Sequence, residues 1–407
     1  MPVLFAANQE HASILLALFI MLVAAKLLAE VFERLRQPAV VGEILAGVII
    51  GPGVLGWVQP SEIISILAEI GVILLLFNVG LEISPITIVR VGRRAMLVGV
   101  LGIILPFAGG FAVARLWGGG EIEAMFIGAA LVATSVGITA RVLGSLGLLQ
   151  RSTSRVIMGA AVIDDILGLM ILSAVSSVSR GEINYLAIFG TALSAVLFVF
   201  VVGAVGSRVF KQLAPWINSL RISKPFFKFG LILCLGLSFV ALYIEVAAII
   251  GAFLAGMALS EATRNNPPMR QLTNGVMEFL VPFFLVNIGM QLDVRLFGDA
   301  SIVAYAVVLT VIAVIAKVVG CGLGAYRMGF RKALEVGVGM VPRGEVGIVV
   351  AQIGIGLAVI DDRAFAAVLF MAVATTLIAP PFIKLLAPKP VPEVSDIHIS
   401  EMVSRIG

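Results

Sequence analysis

Two carboxylates, Asp164 and Asp165, stand side by side in the middle of an apolar stretch at about 156–178. That stretch is long enough to cross a bilayer as a helix, and one ionised Asp at mid-membrane costs roughly 3 kcal/mol on insertion scales. Successive helical positions point about 100° apart, so the two side chains are expected to reach different partners while bordering one cavity. Lys317 is alone in the apolar run 312–320, too far inside it for its stem to carry the ammonium comfortably to water. Thr134 and Ser135 sit within 133–139, and Pro342, Arg343 and Glu345 within 339–347, again at mid-stretch. Carboxylate oxygens suit a small hard cation such as sodium or lithium, and the same oxygens take protons. A site that holds one or the other, never both, is the least that cation–proton exchange requires. The plain structural readings are a satisfied Asp pair between packed helices, a snorkelling lysine, hydroxyls bonded back into their own helix, and an Arg343–Glu345 ion pair.

These residues need elements in a membrane to hold them, and the composition supplies such elements. Of 407 residues, 60% are hydrophobic and 13% charged, with mean hydropathy +1.13, against about a quarter charged in ordinary soluble chains. This is a polytopic all-α membrane protein with no sizeable soluble domain. The net charge of +4 reflects loops at one membrane face, not nucleic-acid binding. Cys234 and Cys321 lie in apolar stretches and are expected to be free and buried. No Cys/His cluster or nucleotide loop is present, so no cofactor and no enzymatic activity are expected. The first apolar stretch lacks a small-residue cleavage site and is read as a retained helix.

Apolar segments fall near 11–33, 38–57, 61–83, 95–117, 122–146, 153–179, 184–207, 225–245, 246–261, 272–292, 300–326, 333–357 and 363–387, which predicts thirteen spans. Glu245 and the following Gly-x-x-Leu-Ala-Gly restart separate the eighth from the ninth. With the N-terminus outside, the inner loops and tail collect nineteen Lys and Arg, from Arg34 to Lys389. The outer side has four, Arg115, Arg180, Arg295 and Arg363. That asymmetry sets orientation and places the C-terminus in the cytoplasm. Lys26 and Glu30 share a helix face four residues apart and are read as a structural pair.

The two halves repeat. Val-Gly-Glu-Ile-Leu-Ala-Gly at 41–47 resembles Ile-Gly-Ala-Phe-Leu-Ala-Gly at 250–256, and Asn78-Val-Gly-Leu resembles Asn287-Ile-Gly-Met, both 209 residues apart. Glu69 and Glu278 share that offset, and Val136-Gly-Ile matches Val346-Gly-Ile at 210. The offset moves each span seven places, an odd number, so the copies have opposite orientation. Spans one to six and eight to thirteen form the repeats, and span seven joins them. Spans five and twelve are equivalent, and both look interrupted: in span twelve Pro342 lacks an N–H and the neighbouring glycines loosen the helix. Transporters of this design bind substrate where such broken helices cross. Asp164, Asp165 and Lys317 have no charged repeat equivalents, so one half supplies the carboxylates and the other the amine.

Ala-Ala-Val-Ile-Asp-Asp at 160–165, Val-Ala-Thr-Ser-Val-Gly-Ile-Thr-Ala-Arg at 132–141 and Gly-Met-Val-Pro-Arg-Gly-Glu-Val-Gly at 339–347 resemble bacterial sodium/proton antiporters. The likeness is to the NapA-type members of the cation–proton antiporter superfamily and runs from about Gln37 to Pro381. It implies a homodimer in the bacterial inner membrane, serving sodium and pH homeostasis, that exchanges cytoplasmic Na+ or Li+ for external H+ by elevator-like alternating access. An Asp-Asp pair with the lysine implies the electrogenic branch. Asp165 is then the main ion- and proton-binding carboxylate, Asp164 its neighbour in the metal-ion site, and Lys317 the charge partner of Asp164. Thr134 and Ser135 lie beside the ion, and Pro342, Arg343 and Glu345 support the crossing. The implied units are dimer-domain helices at 1–90 and 223–297, core helices at 91–180 and 298–387, a linker helix at 181–222 and a cytoplasmic tail at 388–407. The sequence ends soon after the last span, without the nucleotide-binding domain of many potassium-efflux relatives, which favours sodium. A potassium/proton antiporter on the same fold is the alternative, and a channel or a membrane sensor the more distant ones.

Overall fold

The structure, a computed structural model, describes residues 2–83, 85–179, 185–244, 246–263, 267–292 and 294–386. The tail at 388–407 lies outside the described residues, as does Glu245. Fifteen α-helices follow one another with no strand among the described residues: α1 Pro2–Arg34, α2 Ala39–Ile50, α3 Glu62–Glu82, α4 Pro85–Leu116, α5 Glu121–Val132, α6 Val136–Ser145, α7 Ser152–Ser179 and α8 Tyr185–Ser219, then α9 Pro225–Tyr243, α10 Ala248–Ser260, α11 Pro267–Met290, α12 Ala300–Gly324, α13 Phe330–Gly339, α14 Glu345–Gly356 and α15 Asp362–Leu386. Ten described helical segments are long and apolar enough to cross a membrane, and Ala39–Ile50, Ala248–Ser260 and Val346–Gly356 are shorter apolar helices.

Local chemistry sets the ends. The Ser61 hydroxyl accepts from the Ile64 N–H at 3.4 Å and starts α3. Asp299 accepts from Ser301 N at 2.8 Å before α12, Asp361 from Ala364 N at 2.7 Å before α15, and Pro225 opens α9. These are helix starts of the usual kind. The segment expected at 38–57 is helical only to Ile50, because Gly51-Pro52-Gly53 ends it. The eighth and ninth spans are indeed separate helices, α9 and α10.

Helices α3 and α10 are among the inner ones, as is α5 from Phe126 to Val132. All of α10 is buried, and so is α3 from Gly71 to Leu81, the pattern of a helix surrounded on every side. The outward faces of α1, α8 and α9 expose Leu15, Phe19, Phe200, Ile232 and Phe239, an apolar surface that water would not tolerate and lipid would. α4 packs on α12, α7 and α5, whereas α3 packs on α10 and α11 and α2 on α1 and α11.

Two helix crossings depend on missing side chains. A Cβ at Gly47 would lie 2.0 Å from Val286 O, and one at Gly289 would lie 2.0 Å from Ile44 O, so α2 and α11 touch backbone to backbone. α3 and α10 do the same: a Cβ at Gly80 would meet Phe253 O at 2.2 Å, and one at Gly256 would meet Phe77 O at 2.1 Å. Gly47 and Gly256 are 209 residues apart, as are Gly80 and Gly289, so each crossing is the other's counterpart at the repeat offset.

The pairing of Lys26 with Glu30 is not what the structure has. Glu30 instead accepts from Arg34 Nε at 2.7 Å, one turn toward the helix end. Lys26 points to Glu43 of α2, 3.7 Å away. Both alternatives keep helical or interhelical spacing, and the buried carboxylate attracts the amine more than the exposed one.

Candidate functional site

The two interrupted helices are α5–α6, broken at 133–135, and α13–α14, broken at 340–344. At the first break Ala133 has φ −56° and ψ 134° and Ser135 has φ −81° and ψ 101°, extended backbone that interrupts the helix until Thr139 N donates to Ser135 O at 3.4 Å. At the second, Pro342 has no N–H to give. Such backbone survives at mid-membrane depth only when its polar groups find partners in protein, and here the two breaks partner each other. Ser135 N donates to Pro342 O at 2.8 Å. The open carbonyl end of α13 receives the Thr139 hydroxyl on Gly339 O at 2.8 Å and the Thr134 hydroxyl on Met340 O at 3.5 Å.

The open carbonyl end of α5 receives Arg343. Its Nη1 donates to Ala133 O at 2.8 Å and Val132 O at 3.1 Å, and Nη2 reaches Ala313 O at 3.5 Å. A guanidinium there meets the negative pole of the half-helix. Arg343 is fully buried, and its backbone is gripped from α15: its N–H donates to Thr375 Oγ1 at 3.2 Å, and its carbonyl accepts from Thr376 Oγ1 at 2.5 Å. Arg343, named with Pro342 and Glu345 as support for the crossing, thus joins the end of α5 to α15 by hydrogen bonds. The Glu345 side chain, and with it the expected Arg343–Glu345 ion pair, lies outside the described ones. Thr134 does not bond back into its own helix as the plain reading had it, but crosses to the opposite break.

Asp164 and Asp165 sit on α7, 1% and 6% exposed, against the crossing. Lys317 of α12 is completely buried and donates to Asp164 Oδ1 at 3.0 Å, to Oδ2 at 3.2 Å and to Gly102 O of α4 at 2.7 Å. Three ammonium protons meet three acceptors, which rules out the snorkelling reading. Asp165 turns the other way. It lines a cavity of about 10 Å³ with Leu76, Val136, Val162, Ile249, Ile250 and Phe253, room for about one water molecule. Asp164 pairs with Lys317, and the expectation of one cavity bordered by both carboxylates does not hold for this one. The turn per residue that separates them puts Asp164 on the α12 side, and Asp164 does not line the space before Asp165. No group of three or more His, Cys, Asp or Glu side chains that could hold a metal gathers among the described residues. Cys234 and Cys321 are free and buried.

Sequence reasoning named neither Thr375 and Thr376 nor the role of Thr139. The signal available was two adjacent hydroxyls in an otherwise apolar stretch. It also passed over Glu43, a carboxylate 1% exposed in the middle of α2, although that residue lies inside the quoted repeat.

The transmembrane sodium/hydrogen exchanger family matches residues 14–389. The Na+/H+-K+ antiporter GerN of Bacillus cereus is 34% identical over 368 residues, 90% of this chain and 94% of its own. The high-affinity Na+/H+ antiporter NhaS3 of Synechocystis sp. is 34% identical, over 92% of this chain and 89% of its own. A Na+/H+ antiporter of Enterococcus hirae is 31% identical, over 91% and 97%. In fold, the chain is similar to the sodium proton antiporter MjNhaP1 of Methanocaldococcus jannaschii, with TM-score 0.71 at 16% identity, covering 97% of this chain and 99% of that one. A buried Asp–Lys pair beside a second carboxylate, at the crossing of two broken helices, thus occurs in a chain that belongs to the sodium/hydrogen exchanger family, a family of membrane transporters and not of enzymes.

Proposed function

We propose that the protein exchanges cytoplasmic Na+ or Li+ for external H+, with Asp165 and Asp164 as the ion- and proton-binding pair. The observation that carries this reading is the Lys317–Asp164 ion pair, completely buried beside Asp165. A lone buried ion costs several kcal/mol, so the empty site needs Lys317 as counter-charge. A cation entering from the cavity side binds Asp165 and displaces its proton. It then competes for Asp164 and leaves the ammonium without a counter-charge in a dry place, and Lys317 releases a second proton. Two protons against one Na+ move net charge, which couples the cycle to the membrane potential at about 2.3 kcal/mol per charge per 100 mV. Thr134 and Ser135 flank the ion's path, and Arg343, Pro342 and Glu345 hold the crossing.

The architecture of this reading is thirteen spans in two inverted six-helix repeats joined by α8, counting α5–α6 and α13–α14 as one span each. The paired glycine crossings at the repeat offset support it. In this reading α4–α7 and α12–α15 form a core that slides against α1–α3 and α9–α11, two copies form a dimer in the inner membrane, and the N-terminus is outside. The substrates named for the relatives support sodium; the potassium in the name of the Bacillus cereus relative makes K+/H+ exchange the second reading. Proteoliposomes with an imposed pH gradient decide between them. Na+ and Li+ are expected to dissipate the gradient and K+ at the same concentration is not. Dissipation by K+ alone would replace sodium with potassium, and dissipation by none of the three would refute exchange.

A further inference from the structure

The mechanism above leaves one buried charge unused. Glu43 is 1% exposed on α2. Its Oε1 lies 3.7 Å from Lys26 Nζ, beyond a good hydrogen bond, and Lys26 is 54% exposed, so water weakens the attraction. Its Oε2 has no hydrogen-bond partner. Four helices lie against α2: α1, α6, α11 and α15. The charges acting on Glu43 are Lys26 and Glu33 of α1 and Arg141 of α6; none acts on it from α11 or α15 among the described residues. Glu43 is four residues into α2, roughly 6 Å along the axis, at the end of the molecule where α1 finishes in Arg34.

An ionised carboxylate buried with so few donors is costly, and a proton on the orphaned oxygen removes that cost. What offsets it in the ionised form is positive charge nearby, from Lys26 of α1 and from Arg141, half-buried on α6, the half-helix that begins at the crossing and packs on α2. We propose that Glu43 is a second proton-binding site of the transporter, losing its proton when α6 brings Arg141 to α2 and regaining it when α6 withdraws. This rests on the reading that α6 moves against α2 during exchange. Linkage is reciprocal: if the position of α6 sets the proton on Glu43, the proton concentration at that face sets the position of α6. Glu43 thereby makes the rate depend on pH without carrying transported protons.

Two readouts test this. In proteoliposomes, Glu43→Gln is expected to keep exchanging at its optimum with a half-maximal pH moved by about one unit. Arg141→Gln is expected to move it comparably, and the double variant no further, as for two members of one interaction. A Glu43→Gln profile that superimposes on the parent's would overturn the proposal. So would additive shifts, or a folded Glu43→Gln protein inactive at every pH. If Glu43→Gln does not fold, Glu43→Asp is read instead, and a profile like the parent's again counts against it. The second readout needs no transport. The infrared difference spectrum between acid and alkaline protein should contain a protonated-carboxyl band that Glu43→Gln removes and Arg141→Gln displaces in pH; no such band overturns the proposal. A parent that fails to exchange cations while its infrared band behaves as described would refute the exchanger reading and leave Glu43 as a proton site.

Discussion

All three N–H groups of Lys317 are engaged: Asp164 takes two of its hydrogen bonds and Gly102 O the third. Replacing it tests whether that ammonium is a brace or a participant. Lys317→Gln removes one partner of a buried pair, which costs about 3–5 kcal/mol when the other stays charged, so a thermal unfolding measurement must accompany transport. The account predicts that the folded variant exchanges at a rate indifferent to membrane potential. A rate that still responds to potential as in the parent would make the lysine structural. At this scale the sequence was partly legible. Asp164, Asp165 and Lys317 stood out because a charge in an apolar run needs a reason. Thr375 and Thr376 did not, because hydroxyls can satisfy themselves within a helix and only the fold reveals that these two also hold Arg343.

Elements meet through what they lack. The α2–α11 contact closes because Gly289 and Gly47 carry no side chain, and a Cβ at Gly289 would stand 2.0 Å from Ile44 O. Gly289→Ala must push the helices apart and should cost about 1–3 kcal/mol, the range of overpacked cores. Gly236→Ala on α9, where nothing lies within 4 Å, should stay within about 0.5 kcal/mol. Thermal unfolding of the two side by side checks this, and equal stabilities would mean that the crossing is not close-packed. The break in α13–α14 was legible from its glycines and Pro342, and that in α5–α6 from its equivalence at the repeat offset. The destination of Lys26 was not: spacing alone offered Glu30 on its own helix, and Glu43 became its neighbour only when α2 folded back along α1. The short α2 was also misjudged, since an apolar run through 57 hides the stop at Gly51-Pro52-Gly53.

For the whole molecule, hydropathy marked the spans and the repeat suggested their symmetry, whereas helix packing depends on contacts between residues hundreds of positions apart. Inverted repeats make a topological prediction. In the proposed repeat Glu121 and Arg331 would be counterparts, 210 residues apart and both exposed at helix starts. Cysteines at the two positions, with Cys234 and Cys321 replaced by serine, should react with an impermeant maleimide from opposite sides of the membrane. Reaction from the same side would refute the inverted arrangement. The central claim, that a carboxylate on α7 alternately holds a cation and a proton, meets its most direct test in one substitution. Asp165→Asn keeps the shape of the side chain and removes its charge. Reconstituted beside the parent and shown to be folded, it should give no proton movement when Na+ is added on one side, while the parent gives a sustained signal. Na+-driven proton movement in Asp165→Asn at the parent's rate would contradict the account.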